Sequence, residues 1–192
     1  MKRKKKILVL LGSPRRKGNS ALLAERIVEG AKAEGAEAAF VSLDEMGLEP
    51  CRGRGACQKK GSRGCAIDDA MQELYPAMIA ADAWVVASPV YWFTMSAQTK
   101  LWMDRCFALP AYAADPFSGK RIAIAMAYGG DDPFDSGCVN ALRTFQDAYG
   151  YAGAEIVGFV YGSAAAAGEI RKNKAVMKAA EELGRALVKG GR

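Results

Sequence analysis

The 192-residue chain is expected to fold as a doubly wound α/β sandwich around a parallel sheet, and three observations point there. Five apolar stretches alternate with helical patterns, an order that builds right-handed strand–helix–strand crossovers. Several stretches are nearly continuous apolar runs, ILVLL from Ile7, WVVA from Trp84 and IAIAMA from Ile122, as strands buried on both faces require. The segments between them carry apolar residues at four-residue spacing, which is how a helix covers a sheet.

Taken in order, the predicted strands are Lys6–Leu11, Ala36–Leu43, Ala83–Ser88, Arg121–Ala127 and Ala154–Tyr161. Leu23, Ile27 and Ala31 form the apolar stripe of the first helix. Another helix begins near Asp68, a third carries Leu101, Trp102 and Phe107, and the last presents Val176, Leu183 and Leu187. No repeat, low-complexity tract or linker interrupts the chain, so residues 1–192 are read as one domain with a basic tail at 1–5.

Composition narrows the function. With 51% hydrophobic and 25% charged residues, disordered and fibrous classes are excluded. The chain has no histidine, which removes imidazole ligands, histidine bases and Ser–His or Cys–His nucleophile pairs. Lys2–Lys6 supply five of the six net positive charges. The second basic run, Arg52–Arg63, has five cations and no aromatic residue, a pattern of solvated surface rather than a nucleic-acid site. Ile7–Leu11 is too short for a signal-peptide core and is followed by Arg15 and Arg16, while no apolar run approaches the roughly 18 residues of a membrane span. A cytoplasmic protein with its five cysteines reduced is expected.

In open parallel sheets ligands bind beyond the carboxyl ends of the strands. Three loops there stand out. The first is GSPRRKGNS, Gly12–Ser20, where glycines permit tight turning, Asn19 or Ser20 can cap the next helix, and Arg15 lies near free helical N–H groups. That is an anion cradle suited to phosphate. Pro14 blocks the dinucleotide fingerprint and Lys17 replaces the second glycine of a P-loop, so neither NAD nor ATP is expected to be held there. Taken alone, the loop also reads as an ordinary capped turn.

The second loop carries Tyr91, Trp92 and Phe93 in succession after Pro89. Consecutive residues point different ways, so at least one ring should face a cleft, where a flat, apolar, electron-poor ligand can stack. A core or subunit-contact role fits any one ring equally. The third loop opens with Tyr128, Gly129 and Gly130, where glycines let backbone N–H groups approach a ligand. Phosphate cradle, aromatic wall and glycine turn together describe a site for flavin mononucleotide (FMN).

These residues resemble the flavodoxin-like NADPH-dependent FMN reductase family, in its branch related to iron-sulfur flavoproteins. The carrying motifs are GSPRRKGNS, the Cys51–Asp69 segment ending in CAIDD, SPVYW at Ser88–Trp92 and KLWMDR at Lys100–Arg105. The likeness spans about the first 135 residues. It implies a flavodoxin-like three-layer sandwich with a five-stranded sheet in the order 2-1-3-4-5. It further implies that Ser13, Arg15, Asn19 and Ser20, with N–H groups around Gly18, hold the FMN phosphate. Pro89, Val90, Tyr91 and Trp92 would lie against the ribityl chain and ring, and Gly129 and Gly130 against its pyrimidine edge. A homodimer or homotetramer is implied as well.

One departure concerns cysteines. Iron-sulfur flavoproteins carry a compact cysteine series after the second strand, and here Cys51, Cys57 and Cys65 remain while Arg54 stands between the first two. A four-iron cluster wants four thiolates, so neither a cluster nor zinc is expected. Cys57 and Arg63 have the spacing of phosphotyrosine phosphatases, but Gly64 follows the arginine and the helix starts later, so coincidence is the preferred explanation. The expected function is an NAD(P)H oxidoreductase acting through FMN on a small acceptor (a quinone, flavin, nitro or azo compound, or metal ion), with no side chain assigned as a catalytic acid or base. A non-enzymatic flavodoxin-type electron carrier ranks second, and a redox sensor using the Cys51–Cys65 loop third.

Overall fold

Strands form where the apolar runs lie, and the computed structural model, which describes residues 3–190, shows six of them. They are β1 (Lys6–Leu11), β2 (Glu37–Ser42), β3 (Ala83–Tyr91), β4 (Thr94–Met95), β5 (Arg121–Tyr128) and β6 (Glu155–Ser163). The helices are α1 (Asn19–Ala33), α2 (Met71–Ala80), α3 (Ala97–Arg105), α4 (Cys138–Ala152) and α5 (Lys174–Lys189). Of the basic tail, Met1 and Lys2 lie outside the described residues. No helix among the described residues is long and apolar enough to cross a membrane.

The long strands are parallel in the order β2-β1-β3-β5-β6, and β4 pairs antiparallel with the end of β3. Setting that short hairpin strand aside, this is the expected order of five. Alternation across the pleat divides the core in two. Leu8, Leu10, Trp84, Val86, Ile124 and Met126 meet α2, α3 and α4, whereas Ile7, Val9, Val85, Ala123 and Ala125 meet α1 and α5. The second layer is thin, with alanines on the sheet and glycines between the helices. A Cβ on Gly184 of α5 would lie 1.8 Å from the Ile27 carbonyl oxygen of α1, so only glycine permits that approach.

β3 runs three residues past its expected end and turns at Trp92–Phe93 into β4. Both turn residues are left-handed, with φ of 47° and 66°, and they are the only non-glycine residues of positive φ among those described. A two-residue hairpin demands such angles, at a cost of about 1–2 kcal/mol per non-glycine residue. The N-terminus of α4 holds the turn: Asn140 Nδ2 donates to the Phe93 carbonyl at 3.0 Å. Gly137, itself at φ 74°, leaves room for it, since a Cβ there would come within 2.4–2.6 Å of Phe93.

Between β2 and α2 lies a long segment whose regular structure is one 3-10 turn at Ala56–Gln58. A buried ion pair fastens it. Arg105 Nη1 and Nη2 meet Asp69 Oδ2 and Oδ1 at 2.5 and 2.9 Å, with side chains 1% and 7% exposed. Arg105 Nη1 also donates to the Glu49 carbonyl at 2.7 Å, and the Glu49 N–H returns a bond to Asp69 at 2.9 Å. Gln72 Nε2 donates to the Cys65 and Ile67 carbonyls at 2.8 and 2.6 Å.

Burial pushes the Asp69 carboxyl up, but the Arg105 guanidinium and the Glu49 and Met71 N–H groups outweigh it and hold the carboxyl below its ordinary range. The resulting stabilisation is complete above the unfolded carboxylate value of about 3.9 and is lost as pH falls through the lower folded value. Asp69→Asn leaves a buried guanidinium without its counter-charge and is expected to cost about 3–5 kcal/mol at neutral pH, a loss that shrinks toward pH 2 in urea titrations. Gly137→Ala is expected to lower the melting temperature and shift the Trp92 signal in tryptophan fluorescence, because the added methyl collides with the hairpin backbone.

Candidate functional site

Parallel register aligns the strand ends: Leu11 sits beside Ala87, Pro89 beside Ala127 and Tyr128 beside Ser163. The following turns therefore emerge along one edge and enclose a cleft of about 150 Å³. The first turn contributes Ser13, Arg15, Gly18, Asn19 and Ser20, the second Pro89, Val90 and Tyr91, and the third Tyr128 and Gly129. Of the residues singled out from sequence, Trp92 and Gly130 lie outside this lining. Trp92 projects from the hairpin tip, and Gly130 lies under Ser136 with its carbonyl accepting from Ser163 Oγ at 2.5 Å.

The first turn is tight. Ser13 Oγ accepts from the Arg15 N–H at 3.1 Å and the Gly18 N–H donates to the Arg15 carbonyl at 2.9 Å. Gly18, rather than Asn19 or Ser20, occupies the N-cap of α1, and no side chain caps the helix. Its leading N–H groups thus face the cleft edge without an intrahelical acceptor, as every helix start must, and carry the positive end of the helix dipole. Asn19 is engaged otherwise: its Nδ2 donates to the Ala164 and Ala166 carbonyls at 3.1 and 2.9 Å, and its Oδ1 accepts from the Ile170 N–H at 3.3 Å.

Those bonds bring in a fourth wall that the sequence reading did not include. Ala164, Ala165 and Ala167, in the loop after β6, line the cleft. Glu169 shapes the loop by accepting from the Ala165 and Ala166 N–H groups at 3.0 and 2.9 Å. The signal available was only the small-residue run SAAAAG following the last strand. Also unassigned from sequence is a buried hydroxyl network beneath the first two walls. Ser96 Oγ donates to the Gly12 carbonyl at 2.6 Å, accepts from the Thr99 N–H at 3.3 Å and lies 2.9 Å from Thr99 Oγ1. Ser88 Oγ accepts from the Ser96 N–H at 3.0 Å. A Cβ on Gly12 would strike Thr99 Oγ1 at 1.8 Å.

Chemically, the cleft offers hydroxyls, helix N–H groups and a cation at one end and rings at the other. Tyr128 lines it as a neutral donor, because burial first, and then the nearby Cys138 and Asp132, push its hydroxyl above the ordinary range. A drug-sized ligand fills roughly 300–1,000 Å³, so this volume suits a phosphate and polyol with a ring system left at the mouth. Gly129 has open space above its Cα, where a planar edge can reach the backbone. The residues therefore fit FMN. A larger apolar cleft of about 940 Å³ lies by Met103, Phe107, Phe117 and Tyr151, near the amino ends of β5 and β6, and lacks a comparable anion cradle.

The cysteines do not converge. Among the described residues no group of three or more Cys, Asp or Glu side chains is gathered to hold a metal ion. Cys51 is exposed, Cys57 and Cys65 are half-buried, and Cys106 and Cys138 are buried. Burial pushes the Cys138 thiol up to about 11 and the Cys106 thiol higher still, so both stay protonated. The donor set does not fit a four-thiolate cluster.

Comparison with known proteins agrees with this geometry. The description of the NADPH-dependent FMN reductase family matches residues 5–164. An iron-sulfur flavoprotein of Methanocaldococcus jannaschii is 34% identical over 74% of this chain and 69% of its own length, and one from Archaeoglobus fulgidus is 39% identical over 65% and 62%. The chain spans about half to two thirds of the length of most iron-sulfur flavoproteins it matches. A putative NAD(P)H-dependent FMN-containing oxidoreductase of Bacillus subtilis is 27% identical over 93% of this chain and 96% of its own. Among solved structures, an NAD(P)H:quinone oxidoreductase from Methanothermobacter marburgensis superposes with a TM-score of 0.74 at 17% identity, over 99% of both chains, a likeness of fold. With the match running from the start of β1 to the alanine wall of the cleft, the chain belongs to the NADPH-dependent FMN reductase family, whose cofactor is FMN and whose co-substrate is NAD(P)H.

Proposed function

We propose that this chain is an FMN-dependent NAD(P)H oxidoreductase that delivers reducing equivalents to a small acceptor. The observation that carries the reading is the uncapped start of α1 facing the same cleft as Ser13, Arg15, Ser20 and Tyr91. In it, the N–H groups of α1 with the Ser13 and Ser20 hydroxyls bind the phosphate, and Arg15 neutralises its charge. Asn19 positions rather than binds: it ties α1 to the alanine wall. Pro89, Val90 and Tyr91 exclude water from the polyol side, and Gly129 admits the ring edge to the backbone.

When bound, FMN supplies the hydride chemistry. The protein contributes binding, orientation and water exclusion, which is why a chain without histidine can support the reaction. Nicotinamide and acceptor would use the same open side in turn, giving ping-pong kinetics. Quinone, flavin, nitro and azo compounds and metal ions are the acceptor classes in view, and cytoplasmic action as a homodimer or homotetramer is part of the same proposal.

The test is the visible spectrum. Protein reconstituted with FMN and freed of excess should be yellow, bleach with NADPH or NADH under argon, and regain colour on adding a quinone. Protein that retains no FMN overturns the cofactor site. Protein that retains it but is not bleached by either nucleotide belongs instead with one-electron carriers.

A further inference from the structure

The loop after β6 is held more firmly than its composition calls for. Residues 164–168 read AAAAG, and Ala165, Ala166 and Ala167 are exposed, so the run has no side chain with which to fix itself. Two side chains from outside it supply the grip. Asn19, the first residue of α1, bonds the Ala164 and Ala166 carbonyls and the Ile170 N–H, while the Glu169 carboxylate accepts from the Ala165 and Ala166 N–H groups at 3.0 and 2.9 Å. Those two N–H groups hold the Glu169 carboxyl below its ordinary range, so it accepts both bonds as a full charge. The ends are fixed as well: the Ala164 N–H donates to the Tyr128 carbonyl at 2.7 Å, and Ile170 is buried.

A strap without chemistry of its own acts by shape. It lies against the start of α1, and Ala164, Ala165 and Ala167 line the same cleft as Ser13 and Ser20. The enclosed volume of about 150 Å³ is below the roughly 300 Å³ at which ligand pockets begin, which leaves no room for a second phosphate and a nucleoside. We propose that this strap closes the cleft beyond the phosphate, so that a flavin ending in one phosphate is kept and one extended by an adenylate, FAD, is refused, with Glu169 as the positioning residue that sets the strap. The inference rests on the cleft being the FMN site. The family match ends at residue 164, where the strap begins. FAD can enter only by displacing the strap, and each bond to the carboxylate that is then broken lowers affinity about tenfold or more.

The experiment compares wild type, Glu169→Ala, Glu169→Gln and Asn19→Ala as full-length chains. The readouts are the FMN and FAD dissociation constants by flavin fluorescence, hydrogen exchange at the Ala165 and Ala166 amides, and the melting temperature of the flavin-free chain. Wild type should prefer FMN. In Glu169→Ala the two amides should exchange faster and the FMN-over-FAD preference should fall about tenfold, the effect of losing a bond to a charged group. Glu169→Gln should restore most of it, since its amide oxygen accepts the same two bonds, and Asn19→Ala, which removes the other ties, should lower it as Glu169→Ala does. Wild type that binds both flavins equally, or a preference unchanged in Glu169→Ala, overturns the strap. Amides as protected in Glu169→Ala as in wild type overturn the part given to Glu169. So does equal weakening of both flavins with a fallen melting temperature, which makes its role structural alone. Wild type that binds neither flavin is seen before any variant is made and removes the cleft reading itself.

Discussion

The Ser96 hydroxyl donating to the Gly12 carbonyl at 2.6 Å is the contact on which the site depends. Both groups are buried, and a buried carbonyl without a partner costs about 1–3 kcal/mol, so the bond fixes how closely the turn after β1 can approach the start of α3. The same hydroxyl caps α3 through the Thr99 N–H, and Ser88, within β3, accepts from the Ser96 N–H. The turn after β1 is thereby locked to β3 and the start of α3, which lie far from it in sequence. Gly12 is part of that lock, since any side chain there meets Thr99. The placing of the Gly12–Ser20 turn beside Pro89–Tyr91 at one cleft is a consequence of this packing.

The rest of the molecule serves that edge. A sheet buried on both faces keeps its strands in parallel register and sends their connecting turns out together. The thin layer, with Gly30 and Gly184 admitting each other's helix backbone, seats α1 close to the sheet with its N-terminus beside the cleft. On the other face larger side chains carry most of the apolar burial, and Arg105 with Asp69 holds down the segment that bears Cys51, Cys57 and Cys65. In this chain an ion pair and a set of amide bonds organise that segment, where the relatives' names speak of iron and sulfur.

Much of this was legible in the sequence, because burial on two faces writes itself as continuous apolar runs. The five long strands fall where the apolar stretches predict, most plainly β1, β3 and β5, which are buried on both faces, and the residues of the first turn and Tyr91 that line the cleft stand out in the sequence by their place at or just past strand ends. Other parts left weaker marks. β4 has two residues and no periodicity, and its turn lacks the Asn-Gly that announces a hairpin, so β3 was expected to end at Ser88. Asn19 carries the composition of a capping or phosphate-binding residue, but a side-chain amide serves a backbone carbonyl equally well, and only the fold brings the loop after β6 within its reach. The alanine wall was silent for the same reason: residues that act through backbone and small size have no chemical signature.

The central claim is that the cleft recognises a phosphate tail, and the affinity difference between FMN and riboflavin tests it most directly. Quenching of flavin fluorescence during titration should give a dissociation constant at least one hundredfold lower for FMN, narrowing as salt rises because part of the attraction is charge. Equal affinity for the two flavins would contradict the account, since the ring alone would then be doing the binding.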